Sequence, residues 1–251
     1  MSLVSLTRAQ VHYIRQLKSK KYRFEVGSFL VEGRKSVGDL LQSNYETSLL
    51  VVTPEFLAEN RMMFEGHDIP MYIVDSSMMA RMSCLKTNHQ VLAVAKIKGN
   101  DKLEVGLGER ALVLDTIKDP GNLGTIIRIA DWYGIKKIIC SPTTVDRYNT
   151  KVIQASMGSF TAVEMYYSDL ASFLSESKVP VIGTVVESPS YLGEVALPKQ
   201  GMLVVGNESR GINPALREFF SLSVAIKGHG RADSLNVGVA TGIICEWWCR
   251  T

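Results

Sequence analysis

Short apolar runs recur through the C-terminal two thirds of the chain: Ala111-Leu112-Val113-Leu114, Lys137-Ile138-Ile139-Cys140, Val179-Pro180-Val181-Ile182-Gly183, Met202-Leu203-Val204-Val205 and Leu222-Ser223-Val224-Ala225-Ile226. Each is too short for a typical helix, and each is nearly continuous rather than alternating. That is the pattern of strands buried on both faces. Stretches of helical length lie between them, at Thr125–Tyr133, Ser168–Ser177 and Pro214–Phe219, and Val237–Arg250 closes the chain as a helix. The alternation restricts this region to an α/β fold with a parallel sheet, whose ligands bind beyond the carboxyl ends of the strands.

Upstream, Phe29-Leu30-Val31, Leu49–Val52, Met71–Val74 and Val91–Ala95 read as strands separated by helical segments, a smaller α/β domain over residues 1–98. A short amphipathic helix precedes them, with Val11, Ile14 and Leu17 on one side. The pattern lapses at Lys96-Ile97-Lys98-Gly99-Asn100-Asp101-Lys102, a linker composition, and the second domain is expected over 107–251.

With 46% hydrophobic and 21% charged residues, the 251-residue chain has the makeup of a soluble globular protein. No run approaches a membrane span, and the opening Met1–Arg8 lacks the apolar core of a signal peptide, so a cytoplasmic location is expected. The four cysteines form no C-x-x-C pair and the four histidines are scattered; neither disulfides nor a metal site is expected. The net charge is only +3, but residues 1–40 hold eight basic against three acidic side chains. Two readings stand for that excess: a footprint for a polyanion, or a solvated helix face.

Three polar loops are candidates for chemistry. Asp119-Pro120-Gly121-Asn122-Leu123-Gly124-Thr125 follows a strand and enters a helix that carries Arg128. Proline and two glycines suit a tight turn, Asn122 suits a cap, and Arg128 is expected about one turn into the helix, near an anion-friendly N-terminus. Gly206-Asn207-Glu208-Ser209-Arg210-Gly211 follows another strand; Glu208 either serves a ligand site, caps the next helix or pairs with Arg210. In Lys227–Asn236, Ser234 and Asn236 precede the last helix and suit capping, and the loop also carries two glycines and the basic side chains of Lys227 and Arg231. Dinucleotide-binding G-x-G-x-x-G, phosphate-loop G-x-x-x-x-G-K-[ST] and hydrolase G-x-S-x-G patterns are all missing, which argues against a dehydrogenase, an ATPase or an esterase.

In their order, Asn122–Arg128, Gly206–Gly211 and Ser234–Val237 resemble the three signature motifs of the SpoU (TrmH) family of RNA 2′-O-ribose methyltransferases, and Lys151–Ser159 is similar to a stretch following the first motif. Tyr22–Gly33 is similar to the L30e-like substrate-binding domain that precedes the catalytic domain in members acting on ribosomal RNA. The resemblance implies S-adenosylmethionine as cofactor, held in a C-terminal trefoil knot largely by the backbone of Thr184, Gly206, Ile226 and Leu235. It implies catalytic roles for Asn122, Arg128, Glu208, Ser234 and Asn236, with Arg128 activating the hydroxyl; because a guanidinium seldom gives up its proton, the role expected of Arg128 is instead to grip the adjacent RNA phosphate and position or polarise the hydroxyl. It also implies a homodimer paired through the knotted domain, where Ile243, Ile244, Trp247 and Trp248 contribute to the interface or to the core. RNA is the implied partner, with no membrane and no metal. Gly238 departs from the pattern, standing where many members carry a serine. Transfer RNA as substrate, a non-catalytic module for ribosome assembly, and methylation of a base or small molecule are the alternative readings.

Overall fold

The computed structural model describes residues 6–85, 90–186, 188 and 190–250; of the opening segment considered above, residues 1–5 lie outside that range. The chain forms two compact units, one of residues 1–99 with 146–161, the other of 100–145 with 162–251. No helix among the described residues is long and apolar enough to cross a membrane.

The first unit starts with α1 (Arg8–Gln16), opened by a reciprocal capping box between Thr7 and Gln10, and α2 (Lys20–Val26), closed by Gly27 at φ 61°. Then come β1 (Ser28–Glu32), α3 (Arg34–Leu41), β2 (Thr47–Val52), α4 (Pro54–Glu59), β3 (Met71–Ile73), α5 (Ser76–Met82) and β4 (Val91–Lys96). They form a four-stranded sheet in the order β1-β4-β2-β3. β4 runs antiparallel to both of its neighbours and is buried from Val91 to Ala95, as its unbroken apolar run requires. Ile14 and Leu17 pack from the N-terminal segment onto Leu30, Val51, Met79, Met82 and Leu92. The opposite side of α1 exposes Arg8, His12 and Arg15, at i, i+4 and i+7.

The second unit holds β5 (Arg110–Leu114), α6 (Pro120–Trp132) and β6 (Lys137–Cys140). The chain then contributes residues 146–161, with α7 (Thr150–Ser156), to the first unit. It returns for β7 (Glu164–Tyr167), α8 (Leu170–Ser175), β8 (Val181–Thr184), β9 (Gly201–Val205), β10 (Leu222–Val224) and α9 (Val237–Cys249). Six parallel strands lie in the order β10-β8-β9-β5-β6-β7.

The expected parallel α/β architecture is present, with local corrections. β7 escaped the apolar-run criterion because this edge strand has an exposed residue, Glu164, and only Met165 fully buried. β8 starts at Val181 rather than Val179, since Pro180 has no N–H for the ladder, although its carbonyl still accepts from Met202 N at 2.9 Å. Residues Pro214–Phe219 form a 3₁₀ turn and not an α-helix. α6 starts five residues earlier than predicted, because Asp119 caps it and Pro120 takes the first helical position, where a missing N–H costs nothing.

Candidate active site

β5 and β9 are hydrogen-bonded neighbours, in register from Arg110 opposite Gly201 to Leu114 opposite Val205. The chain leaves β5 toward β6 and β7 on one side, while β9, β8 and β10 occupy the other. Where strand order diverges in this way, adjacent loops leave a crevice at the carboxyl edge. The loops after β5 and β9 emerge side by side there.

In the first loop, Asp119 Oδ1 accepts from Asn122 N at 2.8 Å. Asn122 is therefore inside the first helical turn rather than at the cap, which frees its side chain. Its Nδ2 donates to Glu208 Oε1 at 2.6 Å, and its Oδ1 accepts from Asn236 Nδ2 at 2.9 Å. Asn236 uses the other end of its amide to cap α9, accepting from Gly238 N at 2.9 Å and Val239 N at 3.3 Å. One side chain from each of the three motifs thus enters a single chain, Glu208–Asn122–Asn236. A hydrogen bond to an ionised carboxylate contributes about 1.5–3 kcal/mol, so the Asn122–Glu208 contact is its strongest link.

The loop that carries Glu208 has a defined shape. Asn207 and Gly211 exchange backbone hydrogen bonds of 3.0 and 2.9 Å, and Gly211 has φ 68°. A Cβ at Gly206 would lie 2.4 Å from Gly211 C and from Ile212 N, so no other residue fits there. Asn207 Nδ2 donates to Thr116 O at 2.9 Å and to Glu208 Oε2 at 3.3 Å, while its Oδ1 accepts from Ser209 N and Arg210 N. Among the described residues Glu208 neither pairs with Arg210 nor caps the turn that follows, where Asn213 takes that place.

The remaining candidates are not drawn into this chain. Arg128 is exposed and makes no hydrogen bond or ion pair with a described residue. It lies more than two turns into α6, about 9 Å along the axis from Asn122 at 1.5 Å per residue. The expectation of one turn assumed a later helix start. Ser234 sits exposed before Asn236, and His229 and Arg231 are exposed in the same loop. Thr184 ends β8, and Gly206 and Ile226 follow β9 and β10, three strands adjacent in the sheet; Leu235 is half exposed. Sequence reasoning overlooked Asp115, Thr116 and Asn207, although Asn207 stands inside a quoted motif and Asp115-Thr116 is the first polar pair after an apolar strand.

α6 packs on α9, and Gly238 lies at their contact: a Cβ there would be 3.0 Å from Thr125 Cγ2 and 3.3 Å from Asn236 Oδ1. The departure at Gly238 therefore matches the methyl of Thr125. Elsewhere on these two helices Trp132 is 81% exposed, Val239 52% and Trp247 45%. Ile244 and Trp248 instead belong to the core, with Trp248 Nε1 donating to Pro198 O at 2.6 Å. Cys245 is a packing residue too, its thiol pushed up to about 12 by burial.

The model of the SpoU rRNA Methylase family matches residues 109–246, over half of the chain. The chain belongs to this family. A second model, the MRM3-like substrate binding domain, matches residues 8–93. The chain is 30% identical over 233 residues to the 23S rRNA (guanosine(2553)-2′-O)-methyltransferase RlmP of Bacillus subtilis, covering 92% of both chains. It superposes on an RNA methyltransferase of the TrmH family from Porphyromonas gingivalis with a TM-score of 0.87 and 32% identity, covering 98% of this chain and 99% of that one. An AdoMet-bound rRNA methyltransferase from Sinorhizobium meliloti gives a TM-score of 0.86 at 28% identity, covering 99% and 97%. The SpoU chemistry, S-adenosylmethionine-dependent methylation of a ribose 2′-hydroxyl in RNA, is accordingly the activity of this enzyme.

Proposed function

We propose that the enzyme methylates the 2′-hydroxyl of a guanosine ribose in large-subunit ribosomal RNA, in the cytoplasm, at the Glu208–Asn122–Asn236 cluster. The observation that carries this reading is the double tie on Asn122, held by the second motif on one side and the third on the other. The Bacillus subtilis relative is a methyltransferase of a guanosine in 23S rRNA, and the substrate-binding match over 8–93 favours ribosomal over transfer RNA.

S-adenosylmethionine supplies a methyl group made electrophilic by its cationic sulfur. Thr184, Gly206, Ile226 and Leu235 would hold the cofactor through backbone groups, the first three lying at or just past the ends of the adjacent strands β8, β9 and β10. Asn122 and Asn236 fix the ribose, Glu208 fixes Asn122, and Ser234 adds a hydrogen bond at the same edge. Holding both reactants near contact distance is the main acceleration such a site can offer. Arg128 grips the RNA phosphate next to the reacting sugar and polarises the hydroxyl. Two copies of the chain pair through α6 and α9, a reading supported by the exposed Trp132, Val239 and Trp247 on these helices, and each Arg128 serves the assembled dimer. Residues 1–98 recruit RNA, with the cationic side of α1 as its phosphate track, and 107–251 transfer the methyl group.

The test is methylation of ribosomal RNA from a strain deleted for this protein, followed by nuclease digestion and nucleoside analysis. A 2′-O-methylguanosine is expected; a methyl on a base nitrogen, or cofactor binding without transfer to any RNA, would refute the proposal.

A further inference from the structure

We propose that Thr116 and Asn207 act as a positioning pair that sets Glu208, and through it Asn122, for methyl transfer; the inference rests on the function proposed above. Thr116 has φ 61°, a left-handed conformation that β-branched residues rarely enter. Among the described residues only Met157 shares this trait without being glycine, and Met157 closes a helix, where a left-handed residue is ordinary. Thr116 closes no helix, so its conformation needs another cause.

Every polar atom of Thr116 is engaged. Its N–H donates to Ser141 Oγ at 2.8 Å, its hydroxyl donates to Asp115 Oδ1 at 2.9 Å and shares a 2.8 Å hydrogen bond with Thr143 Oγ1, and its carbonyl accepts from Asn207 Nδ2 at 2.9 Å. The left-handed residue takes the chain off the β5 ladder just where its carbonyl meets the glutamate loop. Asp115, itself buried, grips the far end of that loop, accepting from Asn213 N at 2.7 Å. Glu208 therefore sits between two anchors, Asn207 held by Thr116 and Asn213 held by Asp115. The Ser141 and Thr143 contacts brace the first anchor from the loop after β6. None of these braces touches the carboxylate that Asn122 uses, apart from Asn207.

Thr116→Val keeps the branched shape and removes the hydroxyl that compensates the turn, whereas Thr116→Gly removes the same hydroxyl but is at ease at positive φ. At saturating cofactor, Thr116→Val should lower kcat roughly ten- to a hundredfold with KM for RNA unchanged, the signature of lost geometry and not of lost binding. Thr116→Gly should recover most of that loss. Asn207→Ala, at an ordinary backbone position, should lose kcat similarly and carries the test where Thr116→Val does not fold. The double variant should be no worse than the poorer single one, because both remove one link. Parental kcat in Thr116→Val and Asn207→Ala, equal losses in Thr116→Val and Thr116→Gly, or multiplied losses in the double variant would each overturn the pair. A parent enzyme that methylates no RNA overturns the proposed function itself, whereas an active parent with unaffected variants overturns the positioning pair alone.

Discussion

The two units use buried and half-buried polar side chains for opposite purposes. In the first, Arg23 is almost fully enclosed, donates to the carbonyls of Leu17 and Lys18 at 2.9 Å each, and forms an ion pair of 2.5 Å with Asp146, also buried. That pair ties the segment 146–161 to α2, and it offers nothing to a ligand. In the second, Asn122, Glu208 and Asn236 are bonded to one another yet stay partly open to solvent. The first arrangement spends polar groups on architecture, where leaving one unpaired is costly. The second holds polar groups in place while leaving them open to solvent, as the proposed site requires. The Arg23–Asp146 pair is enclosed, whereas the network joining the three loops stays half exposed.

That contrast can be broken most forcefully at Arg23. Arg23→Met leaves Asp146 buried without its partner and should cost about 3–5 kcal/mol in urea unfolding, while Arg23→Met with Asp146→Leu should recover most of the loss. Equal costs for the single and double variants would mean that packing, not the charge pair, holds this segment. Next in size, Asn122→Ala should reduce kcat by roughly a hundredfold, near 2.7 kcal/mol, with the unfolding free energy moved by less than about 1 kcal/mol. If stability falls as far as activity, the cluster is architectural like the Arg23 pair.

Smaller effects sharpen the picture of each unit. Reversing charge on the outer side of α1, with Arg8→Glu and Arg15→Glu together, should weaken RNA binding about tenfold, or about 1.4 kcal/mol, and flatten its dependence on log salt by about one to two units. A filter-binding salt series reads both, and an unchanged slope would assign this side to solvent. The smallest effect is expected at Gly238→Ala, about 1 kcal/mol in thermal or urea unfolding, from crowding against Thr125 Cγ2. Adding Thr125→Ser, which removes that methyl, should restore stability; if it does not, the crowding lies elsewhere.

Much of the fold was legible because its strands are continuous apolar runs that only a doubly covered sheet can bury. β7 was not, since an edge strand need not be apolar on both faces. The start of α6 was misjudged because proline and glycine, read as turn formers, here occupy the first helical turn behind the Asp119 cap. For the site, the motif order supplied Asn122, Glu208 and Asn236, and the resemblance supplied their roles. Thr116 was invisible, because nothing in its identity announces a left-handed backbone.

By itself, then, the sequence determined the buried strands, the parallel sheet and the identity of the three loops, all of which depend on local pattern and on the burial of apolar runs. Tertiary structure alone decided which amide meets which carboxylate, that Gly238 yields its space to Thr125, and that residues 146–161 join the N-terminal unit. These are contacts between residues far apart in the chain, and hydrogen-bond geometry of a few tenths of an ångström leaves no trace in hydrophobic periodicity.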